Sequence, residues 1–258
     1  MNGGLDRRDK DGSQRSEIGG RESEDGEQPR PIKREKMLDL SILPEAQLKL
    51  WPKLEQVPQI FVLYGGTAIA LRLAHRESVD FDFFTSDDFT SDDIVREMPF
   101  LSSARRLQES RNTLTLSCEI SGSESPVKLS FFGGLQLGQI NLPEKADNGI
   151  SIASLLDLLG MKCATISQRI EAKDYIDIHS IINHNDFSLE LGLGAARAIY
   201  GKQYNAALTL KSLSYFEGGN LYAVPETVKH DLIKAVKACD YSAIPEISTK
   251  VVIGEIIE

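Results

Sequence analysis

The sequence predicts an α+β fold in which a small mixed sheet flanked by helices is followed by a helical C-terminal part. Two patterns favour this order of elements. Short apolar or alternating runs, typical of strands, occur between Gln59 and Ile140. Longer amphipathic stretches, typical of helices, follow from Ile152 to Cys239.

The first segment of the chain, residues 1–36, is expected to be a disordered charged tail. It holds nine Lys or Arg residues and nine Asp or Glu residues, but only four clearly apolar residues. So few apolar side chains bury too little surface to offset the entropy that is lost on ordering. The folded part is therefore expected to begin at Met37.

A sheet domain is predicted at 37–150, with prolines and glycines marking the breaks between its elements. Short helices are expected within 44–56 and 86–101, and a longer one at 67–76. Predicted strands lie at 59–64, 78–83, 114–121, 127–132 and 134–140. The turn-like sequence GSESP separates the third strand from the fourth, which predicts a hairpin.

The helical part is predicted at 151–258. A long amphipathic helix is expected from Ile152 to about Arg169, and a second at 174–182. The remainder, from Leu189 to Cys239, is expected to be mostly helical, with breaks at its glycine pair and its proline.

Composition excludes several classes of protein. The formal net charge of -9 argues against a uniformly basic surface that coats nucleic acid. No apolar run reaches the roughly 18 residues of a transmembrane helix, and the N-terminus lacks the apolar segment of a secretory signal, so no membrane partner is expected. The three cysteines lie far apart without a CxxC pair, which favours reduced thiols and a cytoplasmic location.

Gly65-Gly66-Thr67 lies between a predicted strand and a predicted helix. Two glycines allow a tight turn and a close approach of the backbone to a ligand. The helix start, with Thr67 expected near its N-cap, offers unpaired N–H groups and a positive dipole end that suit a phosphate. An ordinary turn before a helix explains the same residues.

Asp80 and Asp82 stand two apart in an alternating strand pattern, so they share one face while Val79, Phe81 and Phe83 face the core. Two neighbouring carboxylates repel each other unless a cation lies between them. Hard cations such as Mg²⁺ bind carboxylate oxygens together with substrate phosphates. A solvated face of an edge strand is the alternative.

Together these two motifs resemble the nucleotidyltransferases of the AbiEii/AbiGii toxin family, in the DNA polymerase β-like superfamily, whose mark is a GG[ST] turn and a downstream DxD. A third stretch, LLDLLGMKCATISQRIEAKDYIDIHSII, resembles the family's later motif. Lys162 and Arg169 are seven apart and are expected on one helix face, although a charged helix with internal pairs has the same pattern. The resemblance spans 61–182.

The resemblance implies a polymerase β-like fold and transfer of a nucleotide from an NTP to a hydroxyl acceptor, with Mg²⁺ or Mn²⁺. Asp80 and Asp82 would hold the metal and would be catalytic. The nucleotide-binding residues would be Gly65, Gly66, Thr67, Lys162 and Arg169. The family also implies a toxin of a toxin–antitoxin or phage-defence pair, with an antitoxin protein as partner and RNA, for example tRNA, as one acceptor.

The sequence departs from the superfamily pattern at the third carboxylate, because the aligned strand position is Ser130. Asp174 is the expected substitute and a further catalytic residue, with Glu119 and Asp177 as the alternatives. Asp174 could also serve only as a helix cap. The departure leaves a second class open, a catalytically degenerate module that binds nucleotide or a partner without turnover.

Overall fold

The structure, a computed structural model, describes residues 38–184 and 187–255, all within one compact unit of the chain. The predicted tail at 1–36 lies outside the described residues. Nine strands are described: β1 (Val62–Tyr64), β2 (Asp80–Phe84), β3 (Arg105–Ser110), β4 (Thr113–Cys118), β5 (Val127–Phe132), β6 (Gly138–Gln139), β7 (Glu144–Lys145), β8 (Ser151–Ile152) and β9 (Val251–Val252). Eight α-helices are described: α1 (Glu45–Leu50), α2 (Gly65–Leu73), α3 (Ser91–Glu97), α4 (Leu155–Thr165), α5 (Ala172–Ile182), α6 (Leu189–Tyr200), α7 (Ala206–Leu213) and α8 (Glu226–Ala238).

The main sheet of the described residues has seven strands in the order β3-β4-β5-β2-β1-β8-β7. It is mixed, because β2 pairs antiparallel with β1 but parallel with β5, and β1 pairs parallel with β8. Strands β4 and β5 form the expected antiparallel hairpin. Strand β3, which the sequence did not predict, adds to β4 at the sheet edge. Strand β6 pairs instead with β9 near the C-terminus.

The alternation of β2 separates a buried face of the sheet from an open one. Phe81 and Phe83 are fully buried, and Phe83 stacks on Phe131 with ring centroids 5.4 Å apart. The predicted inward position of Val79 is wrong: its exposed fraction is 60%, because β2 begins only at Asp80. The opposite face of β2, with Asp80 and Asp82, remains free to form a site.

Helix α4 is shorter than the sequence predicted. Residues 151–152 form strand β8 beside β1, and the helix begins only after Ser154, whose hydroxyl accepts a hydrogen bond from the amide of Asp157. It ends at Thr165, so Arg169 lies in the connection to α5. The predicted shared helix face of Lys162 and Arg169 is therefore wrong.

The helical part otherwise agrees with the sequence pattern, since α6, α7 and α8 lie between Leu189 and Cys239. Strand β8 continues the main sheet just beyond residue 150. The predicted division of the folded part into two domains at that residue stays a prediction. Within the described residues, no helix is long and apolar enough to cross a membrane.

Glycines bring α4 and α6 close together. A Cβ placed on Gly160 would lie 2.9 Å from the Cβ of Ala195, and one placed on Gly192 would lie 2.8 Å from Cγ of Leu159. Both distances are shorter than ordinary packing permits, so the two helices meet at their backbones.

We expect Gly160→Ala to destabilise the protein by about 1–3 kcal/mol, because the added methyl group overpacks the contact with α6. Chemical denaturation measures the change in the free energy of unfolding. Ala207→Leu, which adds volume at an exposed position of α7, is the control and should change it by less than about 0.5 kcal/mol. Equal effects of the two changes would contradict the close approach.

Candidate active site

A cleft of about 390 Å³ opens between the polar face of the sheet and helix α4. Asp80 and Asp82 of β2 face into it, as their spacing predicted. They are the only acidic residues that line the cleft in the described part of the chain. Five basic residues line it as well: Arg76, Lys128, Lys162, Arg169 and Lys173. The cleft therefore combines a carboxylate pair with a surplus of cations.

Asp82 is held in an environment that disfavours its charge. Burial, and then the neighbouring charge of Asp80, raise the pKa of Asp82 above its usual range, although a hydrogen bond with Ser130 and the charges of Lys128 and Lys162 oppose the shift. Ser130 stands directly opposite Asp82 in the register of β2 and β5. A bound cation would relieve the repulsion between the two carboxylates and favour the charged form of Asp82.

Lys128 provides part of that relief. Its Nζ lies 2.9 Å from Oδ2 of Asp80, and the two residues are register partners on β2 and β5. The Lys128 side chain is 41% exposed, so it is free to turn toward a ligand in the cleft. Lys128 was not among the candidate residues predicted from the sequence. Its position two residues before Ser130 on a predicted strand was the available signal, because residues i and i+2 share a face.

The turn at Gly65 brings the start of α2 against the carboxylate pair. Gly65 has φ of +74°, and a Cβ placed on it would lie 2.8 Å from Oδ2 of Asp82. A Cβ on Gly66 would lie 2.5 Å from Nη2 of Arg76 and 2.9 Å from Oγ of Ser78. Both glycines line the cleft, and the absence of their side chains lets Asp82, Arg76 and Ser78 approach the start of α2 closely.

Thr67 is placed differently from the expectation. Helix α2 begins at Gly65 and its N-cap is Tyr64, so Thr67 is already inside the first turn. The Thr67 side chain is buried, and its hydroxyl donates a hydrogen bond to the backbone carbonyl of Asp80. Thr67 does not line the cleft; it ties α2 to β2.

The third predicted motif forms a buried network of ion pairs. Nζ of Lys162 lies 2.7 Å from Oδ1 of Asp174 and 2.7 Å from Oδ2 of Asp177. Arg169 donates to both oxygens of Asp174, from Nε at 2.8 Å and from Nη2 at 3.0 Å. Although Lys162 and Arg169 are on different elements, Asp174 brings them together.

Asp177 extends the network to the segment before β2. Arg76 donates to both of its oxygens, at 2.7 Å and 2.8 Å, and Nε2 of His75 lies 2.7 Å from Oδ1. His75 and Arg76 precede Asp80 in the sequence, but the sequence pattern assigned them no role. Helix α4, helix α5 and the segment before β2 are thus joined through two carboxylates.

Both carboxylates are fully buried and remain charged. Burial acts to raise the pKa of Asp177, but the hydrogen bond from His75 and the charges of Lys162 and Arg76 outweigh it and hold the pKa well below the usual range. Burial also opposes the shift at Asp174, where Arg169 and Lys162 lower the pKa. The acids are therefore partners of cations at neutral pH.

The structure does not bring Asp174 into the cleft beside Asp80 and Asp82. Both of its oxygens accept from cations, and it lies in the first turn of α5 without serving as the N-cap, which is Glu171. Glu119 lies beyond the end of β4, is exposed and does not line the cleft. Among the described residues, no group of three or more His, Cys, Asp or Glu side chains could hold a metal ion.

We expect Gly65→Ala to lower the melting temperature, because the methyl group meets the Asp82 carboxylate at a positive φ. Gly149→Ala is the control: its φ of +82° carries the same strain, but a Cβ there meets nothing within 4 Å. Thermal melts compare the two. A loss for Gly65→Ala no larger than for Gly149→Ala would contradict the crowding.

We expect Asp177→Asn to destabilise the protein by about 3–5 kcal/mol at pH 7, since it leaves buried cations without their partner. The lowered pKa of Asp177 means that its contribution is present above the unfolded pKa near 3.9 and is lost as pH falls toward the folded value. Denaturation between pH 3 and pH 7 should therefore show a weaker pH dependence in the variant. Asp93→Asn, at an exposed pair with Arg96, is the control; a wild-type pH profile in Asp177→Asn would refute the assignment.

Comparisons with known proteins show the family to which this chain belongs. The family described as nucleotidyl transferase AbiEii toxin, type IV toxin–antitoxin system, matches residues 53–240. A curated relative, an uncharacterized protein of Aquifex aeolicus (strain VF5), is 35% identical over 160 residues, which are 61% of this chain and 74% of the relative.

Two solved structures share the fold at 15% sequence identity. JHP933 from Helicobacter pylori has a TM-score of 0.51 and the match covers 78% of this chain and 92% of that one. MenT4, a nucleotidyltransferase toxin from Mycobacterium tuberculosis H37Rv, has a TM-score of 0.53, with 76% and 83% covered.

The mixed sheet with flanking helices that the sequence predicted is confirmed by the structure and by these neighbours. The match over 53–240 covers most of the chain and includes all three motifs. The predicted family is therefore confirmed: the chain belongs to the AbiEii family of nucleotidyltransferase toxins and is a nucleotidyltransferase.

Proposed function

We propose that the protein transfers a nucleotide from an NTP to a hydroxyl acceptor, with Mg²⁺ or Mn²⁺, in the cleft between β2 and α4. One observation carries the proposal: Asp80, Asp82 and the Gly65-Gly66 turn line the same cleft as five basic side chains. A carboxylate pair suits a divalent cation, and the basic residues suit a triphosphate. Few other ligands require both at once.

The residues present fit a hard divalent cation. The site offers carboxylate oxygens on one strand face, which are the donors that Mg²⁺ and Mn²⁺ prefer. A cation would also offset the two causes that raise the pKa of Asp82, which are its burial and then the charge of Asp80. Asp80 and Asp82 would hold the metal, with phosphate and water completing its shell. When bound, the metal would neutralise charge on the phosphates.

The phosphates would lie between the start of α2 and the basic residues. The first N–H groups of α2 have no partner within the helix, and its dipole is positive at this end. Arg76 and Arg169 are fixed by their carboxylate partners, which pre-organises them at the cleft wall. Lys162 has an exposed side-chain fraction of only 8%, so its charge acts from within the wall.

In the transfer step, the acceptor oxygen attacks the α-phosphorus in line with the leaving group. The bond from the α-phosphorus to the bridging oxygen breaks, and pyrophosphate leaves with the electron pair. The proton of the acceptor hydroxyl passes to water, because Asp80 and Asp82, the only carboxylates that line the cleft among the described residues, would hold the metal. The chain contributes positioning and charge neutralisation.

Asp174 is proposed as a positioning residue in place of the metal-directed role that the sequence suggested. It holds Lys162 and Arg169 together at the cleft wall. Thr67 likewise acts through the backbone, since its hydrogen bond holds the carbonyl of Asp80 against α2. Neither residue is proposed to touch the nucleotide.

The biological setting is proposed from the family. A type IV toxin–antitoxin family supports a toxic activity in the cytoplasm and an antitoxin protein as partner. RNA, including tRNA, is the proposed acceptor class. The exposed basic side chains of Lys128 and Arg169 at the cleft provide local positive charge despite the net charge of -9.

We expect wild-type protein to transfer label from an NTP to cellular RNA in the presence of Mg²⁺, and Asp82→Asn to abolish the transfer. The same variant should melt at a higher temperature at pH 7 without metal. The raised pKa means that ionising Asp82 costs stability above its folded pKa, and that cost disappears below the unfolded pKa near 3.9. The gain should therefore vanish at low pH.

Metal binding gives a readout that does not depend on the acceptor. Mg²⁺ should raise the melting temperature of the wild-type protein and not that of Asp82→Asn. Glu119→Gln is the control, because Glu119 is exposed outside the cleft, and it should keep both the transfer and the response to Mg²⁺. Undiminished transfer in Asp82→Asn would refute the proposed function.

A further inference from the structure

The cleft has an apolar end that the proposed phosphate and metal chemistry does not use. Phe84 of β2 and Phe132 of β5 line the cleft from the sheet, and Leu158 lines it from α4. Phe84 and Phe132 are register partners and are only half-buried. Two aromatic rings that face an open cleft offer apolar surface to a ligand.

Along the wall that the sheet forms, the side chains change from charged to apolar in the same direction on β2 and on β5. On β2 the residues that face the cleft run from Asp80 through Asp82 to Phe84, at about 3.3 Å per residue. On β5 they run from Lys128 to Phe132. The aromatic pair therefore lies about 7 Å beyond Asp82, on the side away from Asp80.

Helix α4 forms the opposite wall of the cleft. Leu158 precedes Lys162 by one helical turn, and Lys162 pairs with Asp177, which also binds Arg76. Gly66 lies against that same Arg76. Lys162 therefore lies at the charged end of the sheet, and Leu158 lies one helical turn away from it along α4.

The aromatic end is held in place before any ligand binds. Phe84 stacks on Tyr64 with ring centroids 5.3 Å apart and an interplanar angle of 15°. Phe132 meets Phe84 edge to face, at 5.3 Å and 88°. Rings that are fixed by their neighbours lose little entropy on binding a flat ligand.

We propose that the apolar end binds the nucleobase of the NTP, with Phe132 as the ring against which the base packs. The inference rests on the proposed function and deepens it. An NTP is charged at its phosphates and flat and weakly polar at its base, and the cleft presents charged, mixed and apolar groups in that order. Phe132 is thus a nucleotide-binding residue that determines affinity for the base.

The test compares an NTP with tripolyphosphate, which carries the phosphates without the base. Calorimetry with Mg²⁺ measures the binding of ATP, CTP and tripolyphosphate to the wild-type protein and to Phe132→Leu. The leucine keeps apolar volume but removes the ring face. We expect at least a fivefold weaker binding of one or both nucleotides, and tripolyphosphate binding within twofold of wild type.

Two further variants separate packing from recognition. Phe132→Tyr keeps the ring and should restore nucleotide binding. Phe100→Leu removes a half-buried ring that does not line the cleft and should leave both ligands unaffected. The inference is overturned if Phe132→Leu weakens nucleotide and tripolyphosphate equally, or weakens neither. It is also overturned if Gln108→Ala, on the edge strand β3, causes the nucleotide-specific loss in place of Phe132→Leu.

The outcome is separable from that of the proposed function. If Phe132→Leu binds nucleotide more weakly than the wild-type protein does, but the wild-type protein transfers no label to any acceptor, the base site is supported and the transfer is refuted. If the wild-type protein and Phe132→Leu transfer label with equal efficiency at every NTP concentration, the transfer is supported and the base site is refuted. Failure of the wild-type protein to bind either probe would refute both.

Discussion

Lys162 lies almost fully inside the protein, with its ammonium group 2.7 Å from a carboxylate oxygen of Asp174 and 2.7 Å from one of Asp177. A buried charge is tolerated only with partners of opposite sign and satisfied hydrogen bonds. Here each partner is itself shared, Asp174 with Arg169 and Asp177 with Arg76. Separating any one of the three segments would leave an unpaired charge in the interior, so the network holds them in one arrangement.

The position of the cations in the cleft follows from this network. Arg76 precedes β2, Lys162 is on α4 and Arg169 is in the connection to α5, and the sequence separates the first from the last by more than ninety residues. Their carboxylate partners bring them to the same wall. The partners are fully buried behind that wall, which leaves the outer side of each cation available to a phosphate.

The carboxylate pair on β2, unlike the buried network, is destabilising in the absence of a cation. Asp80 and Asp82 have a lysine, a serine hydroxyl and a glycine turn around them, and the pKa of Asp82 is raised because these groups do not fully offset burial and repulsion. The buried network thus stabilises the folded chain, whereas the pair is a source of strain that a cation would remove. Such a division is typical of binding sites, where stability is given up for affinity.

The sequence by itself determined the strand that carries Asp80 and Asp82, the glycine pair at the start of α2, the β4–β5 hairpin and the family. Each of these depends on residues that are close along the chain, where a period of two or a glycine pair is enough. The end of α4, the edge strand β3, the role of Thr67 and the sharing of Asp174 and Asp177 were decided only by the tertiary structure. A residue's partner across a cleft depends on how distant segments pack, and charged side chains in a buried space take whichever partners that packing brings within reach.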